Sequence, residues 1–244
     1  MIIGTYNEAA TIAAVVSRAL AACHEAGVGI EVLVVDDASP DGTGAVVAKL
    51  AAREPALHLL ERPAKLGLGS ALRDGVRWGL ERGHHGFGFM DGDLSHDPLD
   101  LPRLAAGLQD ADLAIGSRYV PGGSVIGWPP FRRRLSRFGN LYVRVATGVQ
   151  VRDATAGFRV FRRHLAEGIA IDDMRAEGYS FEIDFTLRSW RGGYRIVEVP
   201  ITFRERTDGV SKMSTRIVGE AVWRVLVWGW QGPRRPRPAP PGQE

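Results

Sequence analysis

The sequence predicts an α/β fold built on a doubly wound, mostly parallel sheet, with amphipathic helices gathered in the C-terminal half. Three observations carry this. Short apolar runs alternate with segments of helical period from Met1 to Ile115. The run Glu31-Val32-Leu33-Val34-Val35 is continuously apolar and β-branched after its first residue, the pattern of a strand buried on both faces. Carboxylates and turn-forming residues stand directly after the apolar runs, where an open α/β sheet gathers its ligands.

The elements follow in order. Met1 to Tyr6 reads as the end of a strand, and Met1-Ile2-Ile3 alone are left to build it, as a truncated or misassigned start would leave them. A helix is expected from Asn7 or Glu8 to Ala26, because Ile12, Val15, Val16, Ala19, Leu20 and Cys23 recur at helical spacing before Gly27 and Gly29 end it. The doubly buried strand 31–35 runs into Asp36-Asp37-Ala38-Ser39-Pro40-Asp41-Gly42, a turn sequence. Next come a helix over Gly44–Arg53, a strand over Leu57–Glu61 and a helix over Gly69–Arg82 with Leu72, Val76 and Leu80 on one face. A strand over Phe87–Met90, a helix over Leu101–Leu108 and a strand over Ala111–Ile115 complete the alternating half. The second half predicts a long basic amphipathic helix over Phe131–Thr147, strands over Phe158–Phe161 and Ile196–Phe203, a helix over Phe181–Trp190 between them, and a final apolar helix over Ile217–Trp230. One domain is expected over 1–230, and the Pro/Arg-rich tail 231–244 has the composition of a disordered segment.

Composition narrows the functional classes. The 244 residues are 45% hydrophobic and 24% charged, ordinary for a globular chain able to build a sizeable core. A single cysteine, Cys23, excludes an internal disulfide and a cysteine metal cluster. No apolar stretch reaches the roughly 20 residues of a spanning helix. A net charge of +3 favours phosphate-bearing partners or an anionic membrane surface. The basic helix is not accompanied by any nucleic-acid-binding motif, so nucleic acid is not expected as a partner.

The sharpest chemical signal is Met90-Asp91-Gly92-Asp93-Leu94-Ser95-His96-Asp97-Pro98. An apolar strand delivers two carboxylates one residue apart. Asp91 and Asp93 can present hard oxygen ligands to Mg²⁺ or Mn²⁺, which then bridges to a nucleotide diphosphate. Gly92 between them leaves room for a close-lying phosphate or sugar. Taken alone, the same residues read as an acidic turn closed by Asp97-Pro98. Tyr6-Asn7-Glu8 opens a helix, where backbone N–H groups would meet a nucleotide or Asn7 would act as a cap. Asp36-Asp37 suits ribose hydroxyls or a base edge. Lys65-Leu66-Gly67-Leu68-Gly69-Ser70 lacks the order of a P-loop and reads as a glycine-permitted turn with Lys65 available to an anion. Arg118 at the end of a strand suits bidentate phosphate binding. Arg204-Glu205-Arg206 and Ser211-Lys212 flank Asp208-Gly209, as in a cationic loop able to close over a leaving diphosphate, or simply a solvated one. His96 reads as a loop residue before it reads as a ligand.

These motifs occur in one linear order: Thr5-Tyr6-Asn7-Glu8, Val34–Thr43, Lys65–Gly69, Met90–Pro98, Gly116-Ser117-Arg118-Tyr119, Asp153-Ala154-Thr155-Ala156-Gly157-Phe158-Arg159 and Arg206–Lys212. From Ile3 to about Trp228 the chain resembles the polyprenol-phosphate (dolichol-phosphate) mannose synthases of inverting glycosyltransferase family 2. The resemblance implies a GT-A nucleotide-sugar-binding fold, GDP-mannose as donor, a polyprenyl phosphate as acceptor and a divalent cation, Mg²⁺ or Mn²⁺. By matching position, Gly4, Tyr6, Glu8, Val35 and Asp37 would line the guanosine site. Asp91 and Asp93 would hold the metal, with Gly92 beside the diphosphate, and Arg118, Arg206 and Lys212 would contact phosphates. Arg132 and Arg133 are candidates for the acceptor phosphate. Family members usually carry Pro where this chain has Gly4 and Ala where it has Gly92; Gly4 should loosen the first loop.

A lipid acceptor implies a membrane surface. The helix over Phe131–Thr147 has an apolar stripe of Phe131, Leu135, Phe138, Tyr142 and Val145 flanked by arginines, which suits an interface or an ordinary helix packed on the sheet. The final helix, with its tryptophans, suits an interface or docking onto a membrane-spanning partner protein. Peripheral attachment at the cytoplasmic face is the expected location. The alternatives are a polyprenyl-phosphate glucose synthase using UDP-glucose and a non-catalytic nucleotide-binding subunit.

Overall fold

The run marked as doubly buried forms β2 (Val32–Asp36), and all five residues are buried. Side chains alternate across a strand. Val32 and Val34 therefore join the core layer under α1 (Ile12–Glu25), whereas Leu33 and Val35 join the opposite layer under α3 (Leu68–Glu81). Residues 1–205 and 215–230 are described by this computed structural model. The other strands are β1 (Ile2–Thr5), β3 (Leu57–Glu61), β4 (Gly86–Phe89), β5 (Leu113–Ser117), β6 (Ser124–Ile126), β7 (Arg159–Arg162), β8 (Ile196–Pro200) and β9 (Thr202–Arg204). The other helices are α2 (Thr43–Ala51), α4 (Leu101–Gly107), α5 (Pro130–Thr147), α6 (Arg163–Gly168), α7 (Tyr179–Arg191) and α8 (Thr215–Trp230).

The central sheet has seven strands in the order β3-β2-β1-β4-β7-β5-β8. All run parallel except β7, which is antiparallel to both β4 and β5. The short β1 pairs with β2 along its whole length, from Ile2 opposite Leu33 to Thr5 opposite Asp36. α3 can lie close to the sheet because glycines face it: a Cβ at Gly75 would stand 2.5 Å from Ile2 Cγ2, and one at Gly79 would stand 2.6 Å from Phe87 Cε1. The buried Leu72 and Val76 beside them each contribute about 1.5–3 kcal/mol of hydrophobic stabilisation.

Four expectations change. α1 begins at Ile12, not at Asn7 or Glu8. Asn7 sits at φ +64° and caps nothing. The N–H groups of Asn7, Glu8 and Ala9 instead donate to Ser39 Oγ, Thr43 Oγ1 and Asp41 Oδ2, at 3.0 Å each. The neighbouring loop thus takes the donors that a helix start would have offered to an anion. The run over Ile196–Phe203 divides between two sheets. β8 pairs with β5, while β9 pairs with β6 in a separate ribbon. The third change is the face presented by α5. Its buried residues are Asn140, Val143 and Thr147, while the two ends of the apolar stripe are open, with Phe131 75% and Val145 77% exposed, and Tyr142 between them is half-buried. α5 therefore packs on the core through Val143, with Tyr142 and Ala146 beside it. α5 packs on α8, where the Tyr142 hydroxyl donates to the Val222 carbonyl at 3.0 Å. Fourth, Gly4 lies within β1, opposite Val35, so its missing side chain falls in a paired strand and loosens no loop. Arg206 and Lys212, and the tail 231–244, lie outside the described residues. Among those described, no helix is long and apolar enough to cross a membrane.

Candidate active site

The parallel strands β1, β2, β4 and β5 end at one edge of the sheet. A cavity of about 440 Å³ opens there. Tyr6 and Glu8 follow β1, Asp37 follows β2, Asp91, Gly92 and Asp93 follow β4, and Arg118 follows β5; all line it, together with Gly4. The topology therefore brings these sequence-predicted residues into one space. Val35 is the exception. Its side chain is buried in the core with Ile2, Leu33 and Leu72, because the pleat turns it toward α3 and away from the cavity.

Asp37 is engaged by its own chain. Oδ1 accepts from Arg62 Nε at 2.6 Å, and Arg62 Nη2 lies against the same oxygen. Oδ2 accepts the N–H groups of Leu66 and Gly67, at 3.1 and 2.9 Å. The carboxylate thereby pins the turn before α3, in which Gly67 takes φ +101°. At the same end of the cavity, Lys65 Nζ stands 3.8 Å above the Tyr6 ring. Gly92 is buried, and its carbonyl accepts from Thr11 Oγ1 at 2.7 Å. A Cβ there would lie 3.3 Å from Thr5 Cγ2, so the usual alanine would fit tightly.

Asp91 and Asp93 supply carboxylate oxygens from one side of the cavity. Asp93 is fixed by the Ser95 N–H, which donates to Oδ1 at 3.0 Å. Nearby, Ser95 Oγ is buried without a hydrogen-bond partner among the described residues. No group of three or more His, Cys, Asp or Glu side chains converges among the described residues. Two hard carboxylates with room for further oxygen ligands fit Mg²⁺ or Mn²⁺ held jointly by protein, substrate phosphates and water, and do not fit an all-protein metal cage. His96, read from sequence as a loop residue, is buried between Phe158 and Phe203. Its Nδ1 accepts the Asp91 N–H at 3.3 Å. Burial lowers its pKa below the usual histidine value against the opposing pull of Asp91 and Asp93, so the ring is neutral at pH 7 and braces the Asp91 backbone.

Arg118 is buried and clamped. Asp153 Oδ2 accepts its backbone N–H at 2.9 Å and Nε at 2.8 Å, Oδ1 accepts Nη2 at 2.6 Å, and Thr155 Oγ1 accepts Nη2 at 2.9 Å. Burial alone would lower its pKa; the charge and hydrogen bonds of Asp153 outweigh burial and raise it. Asp153 was visible in sequence only as part of a linear motif, without a role. Arg132 stacks 4.2 Å over the Trp128 ring and pairs with Glu205 at 2.6 Å. Arg133, its expected companion, is exposed on α5 and does not line the cavity.

Arg118, Trp128, Arg132, Thr155 and Tyr179 also line a second cavity, of about 330 Å³. Its remaining walls are largely apolar, with Leu135, Phe138, Tyr142, Val143, Ile183, Val222 and Val225 contributed by α5, α7 and α8. The chamber carrying Asp91 and Asp93 thus shares Arg118 and Arg132 with a second one whose lining is almost wholly apolar.

Residues 1–169 match the family model described as glycosyl transferase family 2. The chain is 48% identical over 237 residues to an undecaprenyl-phosphate mannosyltransferase of Micrococcus luteus, with 96% of each chain covered. It is 47% identical over 234 residues to a polyprenol monophosphomannose synthase of Mycolicibacterium smegmatis, covering 95% of this chain and 87% of the relative. Among solved structures, glucosyl-3-phosphoglycerate synthase from Mycobacterium tuberculosis, in complex with Mn²⁺, UDP and glucosyl-3-phosphoglycerate, superposes with a TM-score of 0.66 at 20% identity, over 93% of this chain and 76% of that one. The mannosyltransferase PcManGT from Pyrobaculum calidifontis, in complex with GDP-Man and Mn²⁺, gives 0.57 at 22%, over 94% and 62%. These distant neighbours establish the fold, which is the GT-A type. With near-full-length relatives at almost half identity, the chain belongs to glycosyl transferase family 2, among the polyprenol-phosphate mannose synthases.

Proposed function

We propose that this glycosyltransferase moves mannose from GDP-mannose to a polyprenyl phosphate, with inversion at the anomeric carbon. The observation that carries the reading is the junction itself: the chamber holding Asp91 and Asp93 shares Arg118 and Arg132 with an adjoining apolar cavity between α5, α7 and α8. A phosphate at the end of a long apolar chain has the matching shape and chemistry. The names of the two bacterial relatives point to the same acceptor class and the same sugar.

A phosphate monoester is largely ionised at neutral pH and attacks without a strong general base. The chain's task is to align the two substrates and balance the charge that develops on the leaving group. An acceptor phosphate oxygen forms the bond to C1 of mannose while the bond from C1 to the diphosphate oxygen breaks, and its electron pair leaves with GDP. Attack from the face opposite GDP turns an α-mannosyl donor into a β-mannosyl phosphate. Asp91 and Asp93 would hold a divalent cation, Mg²⁺ or Mn²⁺, which would supply neutralisation of diphosphate charge. Arg132 receives the acceptor phosphate, and Arg118, which lines both chambers, orients phosphate oxygens where donor and acceptor meet. Arg206 and Lys212 are proposed as further diphosphate contacts. Gly4, Tyr6, Glu8 and Asp37 frame the nucleoside end, Asp37 by holding the turn before α3.

The outward apolar faces of α5 and α8, with Trp223 68% and Trp230 95% exposed and arginines alongside, support peripheral attachment to the cytoplasmic leaflet. The test is transfer of labelled sugar from GDP-mannose to polyprenyl phosphate, with Mn²⁺ or with EDTA, and UDP-glucose in parallel. Metal-dependent product from GDP-mannose alone supports the full reading. Product from UDP-glucose replaces the donor. No product from either, with GDP still binding, leaves a non-catalytic subunit or a requirement for a membrane-spanning partner.

A further inference from the structure

The chamber contains an ion pair that the reaction above does not use. Glu182, on the first turn of α7, lines the cavity and is only 5% exposed. Its partner Arg159, on β7, is fully buried. Glu182 Oε2 lies 2.6 Å from Arg159 Nη2, yet Oε2 and Arg159 Nε both lack a hydrogen-bond partner among the described residues, so the pair is close but poorly aligned. Arg159 is otherwise tied to the chain, through Nη2 to the Ala156 carbonyl and through Nη1 to the Glu182 carbonyl at 3.3 Å. A buried pair of this kind is weak evidence for stability, because apolar side chains of similar volume would serve as well. Burial raises the Glu182 carboxyl to about 7 in spite of Arg159, and the charge of Asp91 pushes in the same direction, which places the two carboxyls within electrostatic reach of each other.

Position along the cavity gives the pair a use. The strand order puts Tyr6, after β1, at one end with Lys65 above it, Asp91 and Asp93, after β4, next, and Arg118, after β5, beyond them with Arg132 beside the second cavity; on the donor reading the nucleoside takes the first end. A hexose linked beyond the diphosphate must place its anomeric carbon between the two carboxylates and the two arginines. The wall there includes Gly157, where an added Cβ would stand 3.7 Å from Asp91 Oδ1, and Glu182. Hexose hydroxyls are hydrogen-bond donors, and a buried carboxyl held beside an arginine with an oxygen still unsatisfied is a ready acceptor. We infer that Glu182 reads the hydroxyls of the transferred sugar, with Arg159 as the positioning residue that aims it. The inference rests on the donor reading above and adds to it the residue that distinguishes one hexose from its epimer. A site built to pair a hydroxyl discriminates far more steeply than an apolar one.

The experiment compares full-length wild type and Glu182→Gln, both with Mn²⁺ and polyprenyl phosphate. It measures kcat/KM for GDP-mannose and for GDP-glucose, and the inhibition constant of GDP, which has no sugar. The expected result is a fall of at least about tenfold in kcat/KM for GDP-mannose, a narrower preference for mannose over glucose, and a GDP inhibition constant unchanged within about twofold. A parallel loss of GDP affinity would make Glu182 structural and overturn the inference, as would unchanged kcat/KM or unchanged epimer preference. Should the lone arginine prevent folding, the double variant Arg159→Met/Glu182→Gln, with thermal unfolding as the control, carries the same comparison. A wild type that transfers nothing from GDP-mannose refutes the donor reading and the inference with it. A wild type that transfers mannose beside an indifferent variant refutes the inference alone.

Discussion

Replacing Asp153 with alanine tests how the arginine at the junction is held. Asp153 is fully buried and Arg118 nearly so. The substitution removes the acceptor for Arg118 Nε, Nη2 and backbone N–H in one step. Thr155 Oγ1 remains as an acceptor for Nη2. Breaking a buried pair from one side typically costs about 3–5 kcal/mol, because the surviving charge stays desolvated. For a chain of this size, each kcal/mol lowers the melting temperature by roughly 2–4 °C, so a fall on the order of 10 °C is expected. Thermal and urea unfolding followed by circular dichroism measure it. The double variant Arg118→Met/Asp153→Leu removes both charges and should recover most of the stability, while transfer to polyprenyl phosphate stays lost. A single variant melting within about 2 °C of wild type would refute the reasoning. So would a double variant no more stable than the single one, since the cost would then lie in packing and not in an orphaned charge.

Asp91→Asn should lower transfer by at least about 100-fold while the melting temperature stays within about 2 °C, because the change is isosteric and removes a cavity-facing charge; unfolding beside the transfer assay checks both, and a wild-type kcat would remove Asp91 from the reaction. Glu182 carries a pH signature: its carboxyl is raised from 4.5 in the unfolded chain to about 7, so the stability it lends is complete below 4.5 and is lost as pH rises through 7. Between those limits wild type should lose up to about 3 kcal/mol relative to Glu182→Gln in paired urea titrations, and parallel stability curves would contradict the assignment. Trp223→Ala/Trp230→Ala removes exposed aromatic surface from α8. It should reduce flotation with anionic vesicles without changing the melting temperature, and undiminished flotation would move the membrane contact elsewhere.

The sheet was legible because β2 and β5 are buried along their whole length and the helices of the first half bury one face each. The expected strand 57–61 coincides with β3, and β2 differs from its expected span by one residue at each end. The Asp91/Asp93 pair and Arg118 were legible for the same reason, since each follows a strand that periodicity could find. What escaped depends on pairing across the fold. Nothing local in Asn7-Glu8-Ala9 shows that its N–H groups belong to Ser39, Thr43 and Asp41. Asp153 meets Arg118 across 35 residues of separation, and Glu182 reads in sequence as an ordinary polar position on a helix. β6 has three residues and gains its place only by pairing with β9. An apolar stripe looks alike against a sheet and against lipid, so sequence alone does not tell that α5 buries Asn140, Val143 and Thr147.

The two junction arginines differ in how firmly they are held, and that difference fits two tasks. Arg118 has a buried partner that contacts both its backbone and its guanidinium, so an incoming phosphate cannot draw it away without exposing Asp153 to an unpaired state. Its direction is set before either substrate arrives, which is what stabilising charge at a fixed point requires. Arg132 and Glu205 remain 24% and 35% exposed, and an ion pair in that setting is worth at most about 1 kcal/mol. A doubly charged phosphate can displace Glu205 at little cost, while the Trp128 ring keeps the guanidinium at the mouth of the apolar cavity. One arginine is thus suited to orient and the other to receive, and on the acceptor reading proposed above a lipid phosphate in the α5–α8 cavity would meet the receiving one on its wall.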